Sequence, residues 1–434
     1  MKRSTLASSS VLVETSHDLP LVSLSIGTKN GSLFDPPGLE GLTRVTARLM
    51  RRTGGHRDPL EIDNRIDSLG GAFSTDVTAS ATLFQGTVIR RSLEPFLAIV
   101  REVLENPGLT EVELGRLVRE TQADLVEALD DDRGLCRRWF RKRLFGDHPY
   151  SRPVSGTAES LGRIRREDVV ARARSLADPA ALHVAFSGDI AADEATTLGT
   201  ALLAALSEGE APAETTPDPV VPAGRRLVLV DKPARTQTQI LIGGIGTHPR
   251  DPDHTALAVG NTIFGGTFTA RMTQEVRSKR GWSYGAYSSL PIDRRRQGFS
   301  MWTFPKAEDA APCIALQLSM LSDLRKDGVT KKELSWAKRY LLRSHAFAVD
   351  TPAKRVGLAL DKLLYDLPDG YYEEYKSRVS SVTLEEVNAA LQQRIPEDDL
   401  LIVVVGTASD IRSAIEAQIP NLGSTEVVRF DNEV

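Results

Sequence analysis

A hydrolytic metal site needs two ligands one helical turn apart, a third from elsewhere and an open position for water. The histidines are His17, His56, His148, His183, His248, His254 and His345, and no two of them stand at i, i+4. His248 and His254 flank Pro249, which opposes a helix that would bring them together. Nucleophilic chemistry lacks a signature too, because Ser155-Gly156 and Ser187-Gly188 are not part of a G-x-S-x-G turn. Gly243-Gly244-Ile245-Gly246 and Gly265-Gly266 complete neither G-x-x-x-x-G-K-[ST] nor G-x-G-x-x-G, which argues against a nucleotide site. Cys136 and Cys313 have neither C-x-x-C spacing nor the number of a disulfide framework, and buried thiols in a reducing compartment are expected. One helical stretch stands out by position: in Gly41-Leu42-Thr43-Arg44-Val45-Thr46-Ala47-Arg48-Leu49-Met50, Arg44 and Arg48 share a face, with Ala47 beside them. Spacing alone makes this a solvated basic face.

These residues have to be positioned by a chain of 434 residues with 54 Lys and Arg against 58 Asp and Glu, a formal charge of −4. That balance excludes a basic nucleic-acid surface as the dominant feature. A content of 41% hydrophobic residues is that of a globular protein with room for two or three domains. Met1 to Ser10 begins with positive charge but lacks the apolar stretch of roughly 7 to 15 residues that a secretory signal requires. Runs such as Leu400 to Val405 fall far short of the roughly 20 residues that span a bilayer. A cytoplasmic protein without nucleic-acid or membrane partners is expected.

The chain repeats itself. Leu24-Ser25-Ile26-Gly27-Thr28 returns as Gly243-Gly244-Ile245-Gly246-Thr247, an offset of 219. Arg166-Glu167-Asp168-Val169, with a strand ending at Gly188-Asp189-Ile190, matches Leu384-Glu385-Glu386-Val387 and a strand ending at Val405-Gly406, an offset of 218. Distant landmarks whose offsets agree to within one residue argue for a tandem duplication. Residues 207–219, rich in Pro, Glu and Thr, read as a solvated linker, which divides the chain into domains 1–215 and 216–434. Val22, Leu24 and Ile26 alternate as a strand, Leu42, Val45, Leu49 and Met50 recur at helical spacing, and Ala72 to Arg90 reads as a strand pair. In the second half, helices are expected over Asp309–Leu324 and Lys331–Ala348, and strands over Thr236–Ile242 and Leu400–Val405. The fold class is α+β: two homologous domains, each an antiparallel-rich sheet with helices packed on one face.

The stretch Gly41 to Met50 resembles the zinc helix of the pitrilysin/insulinase-type peptidases, the H-x-x-E-H family. The resemblance places Arg44 and Arg48 where the two histidine ligands belong and Ala47 where the general-base glutamate belongs. Guanidiniums have no lone pair for a cation, and alanine moves no proton. Asp124, in Asp124-Leu125-Val126-Glu127, stands at the place of the family's downstream glutamate ligand, and a salt-bridged plug with Arg44 or Arg48 is expected there. The chain is therefore expected to carry no metal and no catalytic residue.

Further matches extend the resemblance over nearly the whole chain. Ser68-Leu69-Gly70-Gly71-Ala72-Phe73-Ser74-Thr75 is similar to the family's glycine-rich segment leading into the strand beside the cleft, which makes Ala72, Phe73 and Ser74 candidate peptide-binding residues through strand addition. Phe145-Gly146-Asp147-His148-Pro149-Tyr150 is similar to its H-P-Y segment and implies a structural role for His148. Gly265-Gly266-Thr267-Phe268, the helix after it, and the pair Arg277 and Tyr284 resemble the glycine-rich loop and the Arg/Tyr pair that bind substrate and stabilise the transition state. An arginine and a phenol suit a peptide carbonyl or its developing oxyanion. Small family members pair a zinc-bearing chain with a partner that supplies the Arg/Tyr pair. The resemblance thus implies the non-catalytic subunit of a heterodimeric zinc peptidase, with zinc on the H-x-x-E-H partner and a peptide as substrate. The alternative is an inert scaffold or peptide chaperone with no associated hydrolysis.

Overall fold

Leu401–Gly406 is an unbroken apolar run, and a strand of that kind needs cover on both faces. The computed structural model, which describes all residues except 1, 7, 8, 56, 214, 433 and 434, provides that cover. His56 lies outside the described residues, as do Met1, Ala7 and Ser8 of the N-terminal segment and Glu214 of the linker. Among the described residues, twelve strands form two six-stranded sheets. The first holds β1 (Lys2–Leu6), β2 (Ser9–Thr15), β3 (Leu21–Thr28), β4 (Ala72–Val77), β5 (Thr82–Ile89) and β6 (Leu182–Gly188) in the order β1-β2-β6-β3-β5-β4. The second holds β7 (Arg225–Asp231), β8 (Gln239–Ile245), β9 (Ala286–Ser289), β10 (Gly298–Thr303), β11 (Leu401–Gly406) and β12 (Leu422–Arg429) in the order β12-β7-β11-β8-β10-β9.

From β2 through β4 and from β7 through β9 the two orders correspond strand for strand, which is the duplication seen in space. The outermost strands break the symmetry: β1 runs antiparallel to β2, whereas β12 runs parallel to β7. Antiparallel pairing dominates both sheets, with β2–β6 and β7–β11 the corresponding parallel pairs. The expected strand over Thr236–Ile242 begins later, at Gln239, and its partners are Met301 for Ile242 and Trp302 for Leu241. The expected second-half helices are Ala307–Asp327 and Lys331–Ala348.

One face of each sheet is covered by helices of its own half, as expected. Val45, Leu49 and Met50 of the helix Leu42–Arg52 join Ile62, Phe96, Val100, Leu176 and Phe186 in the first core. Leu257, Phe264, Ile314, Leu321 and Ile415 do the same on the second. The opposite faces are covered by exchange. The helix Asp132–Phe145 leaves its own half and sets Leu135, Cys136, Trp139 and Phe140 against Val228, Val230, Leu241, Leu401 and Val403. In return Pro352–Leu364 sets Val356, Leu360 and Leu364 against Leu12 and Ala185 of the first sheet and Ala81 of the turn between β4 and β5. The starts of these helices are separated by nearly the same interval as the sequence repeats, so equivalent elements have traded places. Burying about 150 to 250 Å² for an aromatic such as Trp139, the exchange locks the two halves into one unit.

Candidate functional site

Asp35, buried, fixes the start of the helix Leu42–Arg52 by accepting from the backbone N–H groups of Gly41 (3.0 Å) and Thr43 (2.9 Å). Gly41 takes φ +94°, and an added Cβ would meet the backbone of Gly156 at 3.0 Å, so glycine at this position is a steric requirement. Arg172, also buried, donates to the Thr43 hydroxyl (2.8 Å) and to the Gly31 carbonyl (2.8 Å). Burial raises the Asp35 carboxyl above its usual range despite these partners, and burial pulls the Arg172 guanidinium down to about 10.

So anchored, the helix presents Arg44, Arg48 and Arg52 at four-residue steps. All three line a cavity of about 1630 Å³ whose other walls are Phe73 to Val77 of β4, the exchanged helix Asp132–Phe145 and Arg226 of β7. Arg48 donates to Thr121 Oγ1 (3.2 Å) and approaches Asp124 Oδ2 at 3.7 Å, while Arg52 pairs with Glu120 at 2.6 Å. Burial lowers the Arg48 guanidinium below its usual range, and the charges of Arg44 and Arg52 add to that effect. Of the expected plug, only the loose Arg48–Asp124 contact is present, with Asp124 more than half exposed, and Arg44 has no ion-pair partner among the described residues. Ala47 is wholly buried and does not line the cavity. Zinc does not fit this residue set: two guanidiniums, one buried methyl group and one carboxylate already facing Arg48 offer no ligand triad. Among the described residues, no three His, Cys, Asp or Glu side chains gather closely enough to hold a metal ion.

Among the described residues, the strand β4 pairs only with β5, so its other edge is open. Arg51 Nε donates to the Phe73 carbonyl at 2.8 Å and its guanidinium pairs with Asp63, which ties the helix to that edge. The Phe73 ring is buried and packs on Phe84 and Phe96.

The second group of candidates lies outside this cavity. Gly265 accepts from the Ser288 N–H (3.0 Å), and a Cβ there would lie 2.5 Å from that same nitrogen; the missing side chain lets the glycine-rich loop pack directly on β9, the edge strand of the second sheet. Beside it, Thr273–Lys279 forms a π-helical turn, a feature found often at functional sites. From that turn Arg277 projects between two rings, its guanidinium carbon 4.3 Å from the Phe268 centroid and 4.0 Å from that of Tyr284. Phe268 is 56% exposed and Tyr284 71%, so the stack faces outward. Arg277 Nη1 is buried without a hydrogen-bond partner among the described residues.

His148 and His254 hold structural positions. His148 accepts from the Tyr150 N–H through Nδ1 (3.1 Å), and its Nε2 meets the Pro217 carbonyl of the linker (2.9 Å). His254 bonds Tyr371 Oη at 3.1 Å, and burial depresses it to about 4. Both cysteines are buried free thiols, with burial pushing Cys313 up to about 11 and Cys136 higher still.

Sequence reading did not single out Phe268, nor the cavity arginines beyond Arg44 and Arg48. The signal for the latter was present in Arg133-Gly134-Leu135-Cys136-Arg137-Arg138-Trp139-Phe140-Arg141-Lys142-Arg143, a cation-rich helix in a chain of net negative charge.

Comparison with known proteins adds the following. Residues 10–158 match the profile of insulinase (peptidase family M16), and residues 163–341 that of the peptidase M16 inactive domain. An uncharacterized zinc protease of Mycobacterium leprae is 28% identical over 88% of this chain and 86% of its own. The non-peptidase homolog YmxG of Helicobacter pylori is 19% identical over 91% of both chains. Among solved structures, a peptidase M16 inactive domain from Pseudomonas fluorescens superposes with a TM-score of 0.86 at 26% identity, covering 93% of this chain and 98% of its own.

Proposed function

The chain belongs to the insulinase-type peptidase family M16, with an inactive-type second domain, and from that premise we propose that it is the non-catalytic subunit of a heterodimeric zinc peptidase. It positions peptide in the cytoplasm for a partner chain that carries H-x-x-E-H and the zinc. The observation that carries the proposal is the contrast between its two candidate sites: the zinc-helix positions hold arginines, while Arg277 stands between two exposed rings with one N–H group unpartnered.

When bound in the partner, zinc supplies the Lewis acid and the activated water. The task left to this chain is to hold the peptide. Arg277 and the Tyr284 hydroxyl are suitable donors for a peptide carbonyl, and donors aimed at developing negative charge contribute most where water is excluded. The open edge of β4 suits main-chain pairing that is indifferent to most of the peptide's sequence.

The test is peptidase activity on a mixed peptide library for the purified chain, for an H-x-x-E-H partner of similar length encoded beside it, and for the two combined. Cleavage that rises sharply on mixing is expected, and Arg277→Ala or Tyr284→Phe should lower that turnover by about 10²-fold, the scale of a lost oxyanion donor, with co-elution unchanged. Unchanged turnover in both variants would sink the role assigned to the pair. Peptide binding without hydrolysis in any mixture points instead to a scaffold, a reading favoured by the similarity to a non-peptidase homolog.

A further inference from the structure

The cavity against the helix Leu42–Arg52 is lined by twelve basic side chains and six acidic ones, although acidic residues outnumber basic ones in the whole chain by 58 to 54. Its charge is thus a local concentration, assembled from both halves: Arg44, Arg48 and Arg52 on one wall, Arg137 and Arg138 of the exchanged helix on another, and Arg226 from the second sheet. Some of these cations are neutralised in place, as Arg52 is by Glu120 and Arg51 by Asp63. Arg44 and Arg137 have no ion-pair partner among the described residues, and Arg226 keeps its Nε buried and unpartnered. Holding like charges together in a partly buried cavity is unfavourable until an anion enters it.

The same cavity contains the open edge of β4. A strand of six residues, Ala72–Val77, offers about 20 Å of backbone for pairing. Aromatic platforms for stacked bases are missing among the described residues: Phe73 is the one aromatic residue of these in the lining, and its ring is committed to Phe84 and Phe96. Basic walls with an open strand edge and no stacking surface suit an acidic peptide and not a single-stranded nucleic acid.

We propose that this cavity selects peptides with acidic residues at alternate positions, laid along β4 so that their carboxylates reach Arg44 and Arg48 on one wall and Arg137 on the other. Alternate side chains of an added strand face the same way, and guanidinium–carboxylate pairs in a confined site are strong and directional. This inference names the substrate class of the peptide-positioning reading given above and rests on it for the occupant being a peptide.

The experiment uses the purified full chain and fluorescein-labelled peptides about as long as an extended strand, with Glu, Gln or Lys at alternate positions, and an oligothymidylate of equal length. Anisotropy titrations at low salt should show the Glu peptide binding at least about tenfold tighter than the Gln peptide, the equivalent of 1.4 kcal/mol, with the preference shrinking as salt is raised. The double variant Arg44→Gln, Arg48→Gln should lose that preference. Arg44→Glu with Arg48→Glu should turn it toward the Lys peptide, and Arg137→Gln on the opposite wall reads the same loss if the helix variants fail to fold. Equal binding of the Glu and Gln peptides, tighter binding of the oligothymidylate, or a preference that survives these substitutions would overturn the proposal. Equal binding alongside intact turnover of the mixed pair defeats the acidic selectivity alone. Loss of turnover on mixing with the Glu preference intact defeats the subunit role alone.

Discussion

The wall of the cavity at Arg44–Arg52 and the outward stack at Phe268–Tyr284 sit on halves of common descent, yet they carry opposite residues of function. In the first, Arg44, Arg48 and Arg52 present guanidiniums that repel a cation, in a cavity with more basic than acidic side chains in its lining. In the second, the glycine-rich loop, the π-helical turn and the Arg/Tyr pair are all present. A duplicated scaffold can carry different chemistry at the two sites, because each site depends on its own helix start and loop rather than on the shared sheet.

The largest effect tests whether the two regions belong to one cooperative unit. Trp139→Ala removes the main apolar anchor of one exchanged helix and Leu364→Ala that of the other, and each is expected to cost about 3 to 5 kcal/mol. Calorimetry should show one transition, shifted down in both variants. Two separate transitions would break the picture of interlocked halves.

Asp35→Ala acts on the first region alone. It strips the acceptor from the helix start and leaves Arg172 buried without its countercharge, a loss of about 3 kcal/mol or more. Acidic-peptide binding should fall in this variant while co-elution with the partner persists. A variant that melts like the parent would remove Asp35 from the account of how the helix is held.

Acidification acts on the second half of the chain, away from the stack. Burial holds His254 at about 4 in the folded chain, below the usual value of about 6.5, so the unfolded chain binds the extra proton. The stabilising contribution is complete above about 6.5 and is lost as pH falls toward 4, by roughly 2 to 3 kcal/mol. His254→Gln should flatten that part of the stability profile; an unchanged slope would assign it to other groups.

Smallest is Asp124→Ala. With its carboxylate 3.7 Å from Arg48 and more than half exposed, the change in stability should stay below about 1 kcal/mol by thermal melting. A large loss would revive the idea of a tight salt-bridged plug.

Much of this was legible in the chain itself. The repeated strings at Leu24 and Gly243 follow from each half needing the same central strand, and the unfitness of Arg44 and Arg48 as metal ligands follows from residue type, since no conformation gives a guanidinium a lone pair. The seven-residue spacing of Arg277 and Tyr284 is likewise local, as is the apolar run of β11, which demands two covered faces wherever it lies. Only the tertiary structure decided that the second cover comes from the other half, because helix periodicity shows that Asp132–Phe145 has an apolar face without saying which sheet it meets. That choice brings Arg137 and Arg226 opposite Arg44. Net charge averages over the whole chain, whereas electrostatic energy falls with distance, so the arginines acquire a common purpose only where the fold sets them around one cavity.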